Sequence, residues 1–304
     1  MASPGTGVDA ARTPSARAAW LLAARPKTLP ASVAPVVVGT AVAIREDGFV
    51  PSAALAALAV ALLLQIASNL ANDVFDFKRG ADTADRLGPL RVTQAGLIAP
   101  ERVLWGTGLV LGAAALAGLY LVWRGGWPIL VLGFLALVSA VAYTGGPAPL
   151  GYLGLGDPFV FVFFGLVAVA GTAYVQTLSL SALALMAAVP VGCLATAILV
   201  VNNLRDVETD RVVGKRTVAV RLGADGARIE YALLVAVAYL VLPVGWALGV
   251  FGGWWWVPWL SLPVAIAIAR RVFASRGGAL NPLLGATARL ELLVAGLLAG
   301  SILL

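Results

Sequence analysis

Residues 52–76 read SAALAALAVALLLQIASNLANDVFD, an apolar run without charge until it ends at Asp73 and Asp76. The run is long enough to cross a bilayer, which takes about 20 apolar residues in a helix. Carboxylates at the boundary of a membrane are costly to keep, so their presence indicates a functional cause. This stretch therefore predicts a transmembrane helix that ends in a polar site.

The composition of the whole chain extends this prediction. The 304 residues are 61% hydrophobic and 12% charged, whereas an ordinary soluble domain is about 45–50% apolar and about 25% charged. We therefore expect a polytopic membrane protein. The net charge of +6 is dispersed among short loops, a distribution typical of topology determinants and not of nucleic-acid binding.

Residue types that are rare or absent restrict the chemistry. The chain has no histidine, and its one cysteine, Cys193, lies in an apolar run. A Ser-His-Asp arrangement, an intrachain disulfide and a cysteine-based metal site are thereby excluded.

Nine apolar stretches are long enough, or nearly so, to cross a bilayer. They lie at roughly 29–44, 52–75, 103–123, 127–143, 158–175, 181–203, 230–250, 254–270 and 283–303. We expect an all-α bundle of nine transmembrane helices around a central cavity. Residues 1–18 are expected to form a disordered N-terminal tail without a cleavable signal peptide, and residues 19–304 a single transmembrane domain.

The basic residues indicate the orientation of these spans. With nine spans and the N-terminus inside, eighteen of the twenty-one Lys and Arg residues lie on the cytoplasmic side, and only Arg45 and Arg124 lie outside. Because cytoplasmic loops carry an excess of Lys and Arg, this distribution predicts a cytoplasmic N-terminus.

A second acidic cluster follows the sixth predicted span, where residues 202–210 read NNLRDVETD. Both clusters fall on the predicted cytoplasmic side, and seven of the fifteen Asp and Glu residues lie within 73–85 and 206–210. Each loop also continues with Asp-Arg and a glycine. This similarity suggests two pseudo-repeats of about four helices each, followed by a final helix.

The spacing within each cluster predicts a site for divalent cations. Positions three and four apart share one face of a helix, which groups Asn69, Asn72, Asp73 and Asp76, and likewise Asn202 or Asn203, Asp206 and Asp210. Ligand sets made only of oxygen suit Mg²⁺ or Mn²⁺. Nearby cations are expected to bind the remaining oxygens of a diphosphate, namely Lys78, Arg79, Lys215 and Arg216. Glu208 lies off this face and is expected to be solvated.

At these residues the chain resembles the UbiA superfamily of intramembrane prenyltransferases. The resemblance rests on Asn72-Asp73-x-x-Asp76 and on Asp206-x-x-x-Asp210. Within the superfamily, the chain most resembles the branch that acts on 1,4-dihydroxy-2-naphthoate. This closer resemblance rests on residues 25–35 (RPKTLPASVAP), 80–89 (GADTADRLGP) and 206–217 (DVETDRVVGKRT). The more common first motif has an Asp where this chain has Gly80. The acids Asp82 and Asp85 follow instead, and which of them touches a metal stays open.

The resemblance implies a reaction and a location. It implies Mg²⁺-dependent transfer of a polyprenyl group from polyprenyl diphosphate to 1,4-dihydroxy-2-naphthoate, with loss of CO₂ and diphosphate, in menaquinone biosynthesis. The product would be demethylmenaquinol. The implied location is the bacterial inner membrane, with the active-site loops on the cytoplasmic side. The implied catalytic residues are Asp73, Asp76, Asp206 and Asp210, with Asn72 as a further metal ligand.

Further residues are candidates for substrate binding. They are Lys27, Asn69, Lys78, Arg79, Asp82, Asp85, Arg86, Tyr143, Asp157, Asn203, Lys215 and Arg216. Aromatic rings are also expected to line the cavity or to shield a cation, among them Tyr143, Phe159, Phe161, Phe163 and Phe164.

Two alternative functions stay open. A prenyltransferase that acts on 4-hydroxybenzoate would share the motifs, and no residue in the sequence distinguishes the acceptors. An ion- or proton-coupled transporter would place its ionisable residues near the middle of the membrane, whereas here the acids lie at the ends of spans. Besides the lipid bilayer we expect no nucleic-acid partner and no obligate protein partner.

Overall fold

The computed structural model describes residues 14–81 and 87–304, and within these residues it contains helices and loops but no β-strand. The helices are α1 (Ala16–Ala24), α2 (Pro30–Arg45), α3 (Pro51–Lys78), α4 (Pro100–Gly125), α5 (Trp127–Ala142), α6 (Gly156–Val160), α7 (Ala168–Thr177), α8 (Ala182–Arg205), α9 (Val207–Val212), α10 (Val218–Ala247), α11 (Leu262–Ala274) and α12 (Asn281–Leu303). A π-helical segment, Phe161–Val167, joins α6 to α7.

Local sequence determines where several of these helices begin. Pro30, Pro51 and Pro100 each occupy the first position of a helix, where a proline loses no hydrogen bond and its φ angle is already helical. The side chains of Ser15 and Ser181 accept hydrogen bonds from the first turns of α1 and α8. Because α1 starts at Ala16, it begins inside the tail predicted for residues 1–18, and residues 1–13 lie outside the described part of the chain.

Seven helical segments of the described chain are long and apolar enough to cross a membrane, which supports the predicted class of all-α membrane protein. A bent pair, Ala16–Thr28 with Pro30–Arg45, provides an eighth candidate with a bend of 50°. The predicted number of nine spans exceeds this count, because α5 has 16 residues and falls short of the usual length.

Small residues allow the helices to pack closely at the centre of the bundle. A Cβ atom on Gly165 would lie 2.6 Å from the Cα atom of Gly192 on α8, and one on Gly39 would lie 2.4 Å from the carbonyl oxygen of Val169. Backbones can approach this closely only where side chains are absent, a common arrangement in membrane bundles. The most buried span, α8, consequently packs against α10, α12 and the π-helical segment.

An apolar cavity of about 380 Å³ lies between α2, α3, α4, α5 and the segment from α6 to α7. Polar side chains line part of it, namely Ser32, Gln65, Ser68 and Tyr143. Three lining residues on α4 and α5 are largely exposed: Leu119 (60%), Leu130 (55%) and Phe134 (65%). Exposed apolar side chains of these two helices therefore form part of the cavity wall.

Candidate active site

Asp73 holds the loop that follows α3. One of its carboxylate oxygens accepts a hydrogen bond from the backbone N–H of Val92 at 3.1 Å, and the other accepts one from Thr93 at 2.9 Å. The side chain is buried, with 1% of the residue exposed. Because two buried N–H groups depend on this carboxylate, removing it would leave both unsatisfied.

Asp76, one turn further along α3, lies among cations and a phenol. Its Oδ2 accepts a hydrogen bond from Nη2 of Arg91 at 3.0 Å, and its Oδ1 accepts one from the hydroxyl of Tyr152 at 3.0 Å. The ammonium of Lys215 lies 3.6 Å from Oδ1. A buried carboxylate is tolerated when such partners compensate the loss of its hydration.

Asp210 reaches the same lysine from the second cluster. Its Oδ1 lies 3.5 Å from the ammonium of Lys215, which therefore bridges an acid of each cluster. Burial raises the pKa of Asp210 to about 6, and the positive charge of Lys215 opposes that shift. The structure thus brings together Asp76 and Asp210, which are 134 positions apart in the sequence.

Asp206 has a different environment. It forms an ion pair with the neighbouring Arg205, whose Nε donates to Oδ1 at 2.7 Å. The same guanidinium, which is buried, donates to the side-chain oxygens of Asn202 at 2.9 Å and of Asn281 at 3.0 Å. Asn281 in turn donates to the carbonyl oxygen of Leu87. This chain of contacts fastens the second cluster to the loop after α3.

The asparagines of the first cluster bind neighbouring segments. Asn72 accepts a hydrogen bond from the hydroxyl of Thr144 at 2.8 Å. Asn69 donates to the carbonyl oxygen of Ala24 and to the hydroxyl of Thr28, both at 2.9 Å. The amide of Asn69 thus holds the turn that contains Lys27, whose own side chain is exposed.

The other predicted cations lie at the rim. Lys78, Arg79 and Arg216 are exposed. The guanidinium of Arg79 donates to the carbonyl oxygen of Gly146. Glu208 is exposed and paired with Arg211. Three further candidates, Asp82, Asp85 and Arg86, lie outside the described residues.

Tyr143 and Asp157 lie where the cavity meets the acidic clusters. Tyr143 lines the cavity. Asp157 is 6% exposed, and neither of its oxygens has a hydrogen-bond partner among the described residues. Asn203, at the end of α8, is also buried.

The aromatic candidates divide into two groups. The rings of Phe159 and Phe163 stack with centroids 5.0 Å apart, and both line the cavity together with Phe164. Phe161 instead packs against the core around α8. The stacked pair therefore forms part of the cavity wall.

Three residues that the sequence did not single out belong to this site: Arg91, Tyr152 and Arg205. Arg91 and Arg205 had been assigned only to topology, although each lies within a few residues of an acidic cluster. Tyr152 lies in a turn between Gly151 and Gly154, and nothing in its local sequence distinguishes it from an interfacial aromatic residue. All three are aromatic or arginine residues close in sequence to a residue already assigned to the site, and this proximity could have identified them.

The donor set fits magnesium. Among the described residues, no three carboxylate, histidine or cysteine groups gather closely enough to hold a metal by themselves. Mg²⁺ typically takes one or two carboxylates, with water and substrate phosphates as its other ligands. The pair Asp76 and Asp210, with cations beside it, matches that requirement.

Fold and site together define a helical membrane protein whose apolar cavity ends at paired carboxylates and cations, an arrangement suited to an amphiphile with an anionic head. The model described as the UbiA prenyltransferase family matches residues 32–282. The chain belongs to this family, which confirms the resemblance found in its motifs.

Several named proteins are similar to this chain over most of their length. The chain is 40% identical over 282 residues to the 1,4-dihydroxy-2-naphthoate octaprenyltransferase of Escherichia coli, covering 90% of this chain and 92% of the relative. It is 43% identical over 261 residues to the protein of that name from Mycobacterium tuberculosis, covering 86% and 88%.

Solved structures share the fold. A UbiA homolog from Aeropyrum pernix matches with a TM-score of 0.69 at 18% identity, covering 90% of this chain and 97% of that one. A UbiA homolog from Archaeoglobus fulgidus bound to GPP and Mg²⁺ matches with a TM-score of 0.64 at 14% identity, covering 94% and 99%.

Proposed function

We propose that this protein transfers a polyprenyl group from polyprenyl diphosphate to 1,4-dihydroxy-2-naphthoate, with loss of CO₂ and diphosphate, to give demethylmenaquinol. The observation that supports this most strongly is the set of bacterial relatives, 34–43% identical, that carry the name 1,4-dihydroxy-2-naphthoate octaprenyltransferase. Each aligns over more than three quarters of both chains, so the proposal concerns the whole protein.

The diphosphate head is proposed to bind between the two acidic clusters. Asp76 and Asp210 would hold Mg²⁺, with Asn72 and Asp206 as further ligands, and Mn²⁺ is expected to substitute. The metal would neutralise charge that develops on the departing diphosphate. Lys215 and Arg79 supply positive charge to the same oxygens, and Lys78, Arg216 and Lys27 supply it at the rim. Asp73 is retained as a further catalytic metal ligand, and its contacts with Val92 and Thr93 would also hold the loop after α3 in place.

The prenyl chain is proposed to occupy the apolar cavity. The bond between its first carbon and the diphosphate oxygen breaks, and both electrons leave with the diphosphate. The rings of Phe159 and Phe163 can stabilise the resulting allylic cation by cation–π interaction, and the apolar walls keep water from trapping it. The ring carbon that bears the carboxylate then attacks, and CO₂ departs from that carbon in place of a proton.

The remaining buried candidates are assigned to the acceptor. Tyr143 lines the cavity, Asp157 and Asn203 are buried, and all three are proposed to contact the aromatic ring of the acceptor. A role of Asp82, Asp85 and Arg86 in substrate binding is proposed from the sequence alone.

The topology is proposed to comprise nine spans with a cytoplasmic N-terminus. The seven long helical segments, the bent pair α1–α2 and the short apolar helix α5 together give that number. The acidic clusters then lie on the cytoplasmic side of a bacterial inner membrane, because that side holds most of the Lys and Arg residues. We retain the proposal of two pseudo-repeats followed by a final helix.

A product assay tests the reaction. Purified protein in detergent receives Mg²⁺ and a long-chain polyprenyl diphosphate, with 1,4-dihydroxy-2-naphthoate and 4-hydroxybenzoate in parallel. Prenylated product and CO₂ are expected with the naphthoate. Product with 4-hydroxybenzoate alone would show that the proposed acceptor is wrong and that the proposed prenyl transfer is right. Folded protein that forms no product with either acceptor would contradict the proposed reaction.

A further inference from the structure

Through Tyr152, the loop between α5 and α6 contacts the first acidic cluster and the loop that follows the second cluster. The hydroxyl of Tyr152 donates to Asp76 Oδ1 at 3.0 Å, at the end of α3. Its carbonyl oxygen accepts the backbone N–H of Arg216 at 2.9 Å, in the loop after α9. Tyr152 is thus joined by hydrogen bonds to both halves of the site.

The ring of Tyr152 lies against two cations, one from each half. The guanidinium carbon of Arg79 lies 5.2 Å from the ring centroid, and the ammonium of Lys215 lies 4.8 Å from it. Both distances fall within the range of about 6 Å over which a cation is attracted to an aromatic face. One side chain therefore orients a carboxylate through its hydroxyl and two cations through its ring.

The contact with Lys215 matters most, because this ammonium also bridges Asp76 and Asp210 at 3.6 and 3.5 Å. A lysine has a flexible stem and a compact charge, so two carboxylates alone would not fix its position when a metal and an anion arrive. The aromatic face adds a third contact to this ammonium. Lys215 can then exchange a carboxylate for a phosphate oxygen without a large displacement.

We propose that Tyr152 is a positioning residue for the diphosphate head, which sets the places of Asp76, Arg79 and Lys215 across the two halves of the site. This inference rests on the proposed function, because it assumes that the head binds between the clusters. Tyr152 acts through its three partners and is not assigned a contact with the reacting carbon atoms.

Two substitutions separate the hydroxyl from the ring. Tyr152→Phe removes the bond to Asp76 and keeps the aromatic face, so the KM for polyprenyl diphosphate should rise by about tenfold, the effect of one hydrogen bond to a charged group. Tyr152→Leu removes both, so the KM should rise by about a further tenfold. The KM for the aromatic acceptor should stay within about twofold of the wild type for both variants.

The matched control is Tyr174→Phe. The hydroxyl of Tyr174 donates to the carbonyl oxygen of Gly125 at 3.2 Å, away from the acidic clusters. This variant loses a tyrosine hydroxyl and its hydrogen bond outside the site and should keep both KM values.

A binding measurement makes the test independent of turnover. Calorimetry with Mg²⁺ and inorganic diphosphate should show weaker binding in the order wild type, Tyr152→Phe, Tyr152→Leu. Equal affinities in all three proteins would overturn the role of Tyr152. A lower affinity for diphosphate that comes with a lower thermal stability and a rise in both KM values would also overturn it, because that combination would reveal general destabilisation. If the wild type binds diphosphate but forms no product, the proposed reaction fails while the affinity order still decides the role of Tyr152.

Discussion

The carboxylates of the two clusters have different contacts, although the sequence presents them as equivalent. Both carboxylate oxygens of Asp73 accept hydrogen bonds from backbone N–H groups, whereas Asp76 and Asp210 each form an ion pair with the ammonium of Lys215. On α3, Asp73 and Asp76 contact the same loop, as side chains three positions apart on one side of a helix can. A break in the helix at Asp206, by contrast, separates the contacts of Asp206 from those of Asp210. Spacing alone cannot show which oxygens are already occupied.

This difference in contacts predicts that the two acids differ in their effect on stability. Asp73→Ala should lower the free energy of unfolding by about 1–3 kcal/mol, because two buried N–H groups lose their acceptor. Asp210→Ala should abolish turnover without lowering stability, since it removes a buried acid. Thermal unfolding in detergent and a product assay on both variants measure this. An Asp73→Ala protein as stable as the wild type would contradict the assignment of Asp73 to the loop.

The buried acid Asp210 also predicts a dependence of stability on pH. Its pKa is about 6 in the folded protein and about 3.9 in an unfolded chain, so the folded state binds the proton more tightly. In metal-free protein, stability should therefore fall as the pH rises from about 4 through 6, by about 3 kcal/mol at most.

The control for this pH dependence is Asp210→Asn, which stays neutral at every pH. Unfolding of both proteins in EDTA between pH 4 and pH 7 gives the difference. Parallel curves for the two proteins would show that Asp210 is not the titrating group.

At the scale of the elements, apolar runs located most helices to within a few residues. The predicted span 52–75 corresponds to the helix Pro51–Lys78, and the predicted span 181–203 corresponds to the helix Ala182–Arg205. Hydropathy identifies such segments because lipid requires a continuous apolar surface. The π-helical segment Phe161–Val167 left no such signal, since it depends on packing against α8 and not on composition.

The close approach of this segment to α8 predicts a sensitive position. Gly165→Ala would place a Cβ atom 2.6 Å from the Cα atom of Gly192, so the helices must separate at a cost of about 1–3 kcal/mol. Gly296→Ala on α12 is the control, because its Cβ atom would meet no atom within 4 Å. Its stability should be unchanged or slightly higher. Thermal unfolding of the two variants in one detergent compares them, and equal midpoints would contradict the tight crossing.

At the scale of the whole molecule, the helices leave loops on two opposite faces. The face with the acidic clusters also contains the connection from α11 to α12, since Asn281 contacts Leu87 there. The opposite face contains the α7–α8 turn, near which Arg124 donates to the carbonyl oxygen of Gln176. The charge bias of the sequence predicted which loops share a face, whereas the contacts across that face required the structure.

The proposed topology predicts which loops a membrane-impermeant maleimide reaches. Cys193 is buried, so Cys193→Ser provides a background for single cysteines. Ser179→Cys should be labelled in intact spheroplasts, and Ala279→Cys only after permeabilisation. The reverse pattern would show that the protein has the opposite orientation, and labelling of both in intact spheroplasts would contradict the assigned number of spans.

The exposed wall that α4 and α5 give the cavity has a consequence for the concentration that the enzyme senses. Leu119, Leu130 and Phe134 in this wall are exposed on two helices of the proposed membrane-spanning bundle, so a polyprenyl chain is expected to arrive by diffusing within the bilayer. The quantity that sets the encounter rate is then the mole fraction of the substrate among the lipids, and not its concentration in water. Adding inert lipid or detergent dilutes the substrate in two dimensions even when its total amount is constant.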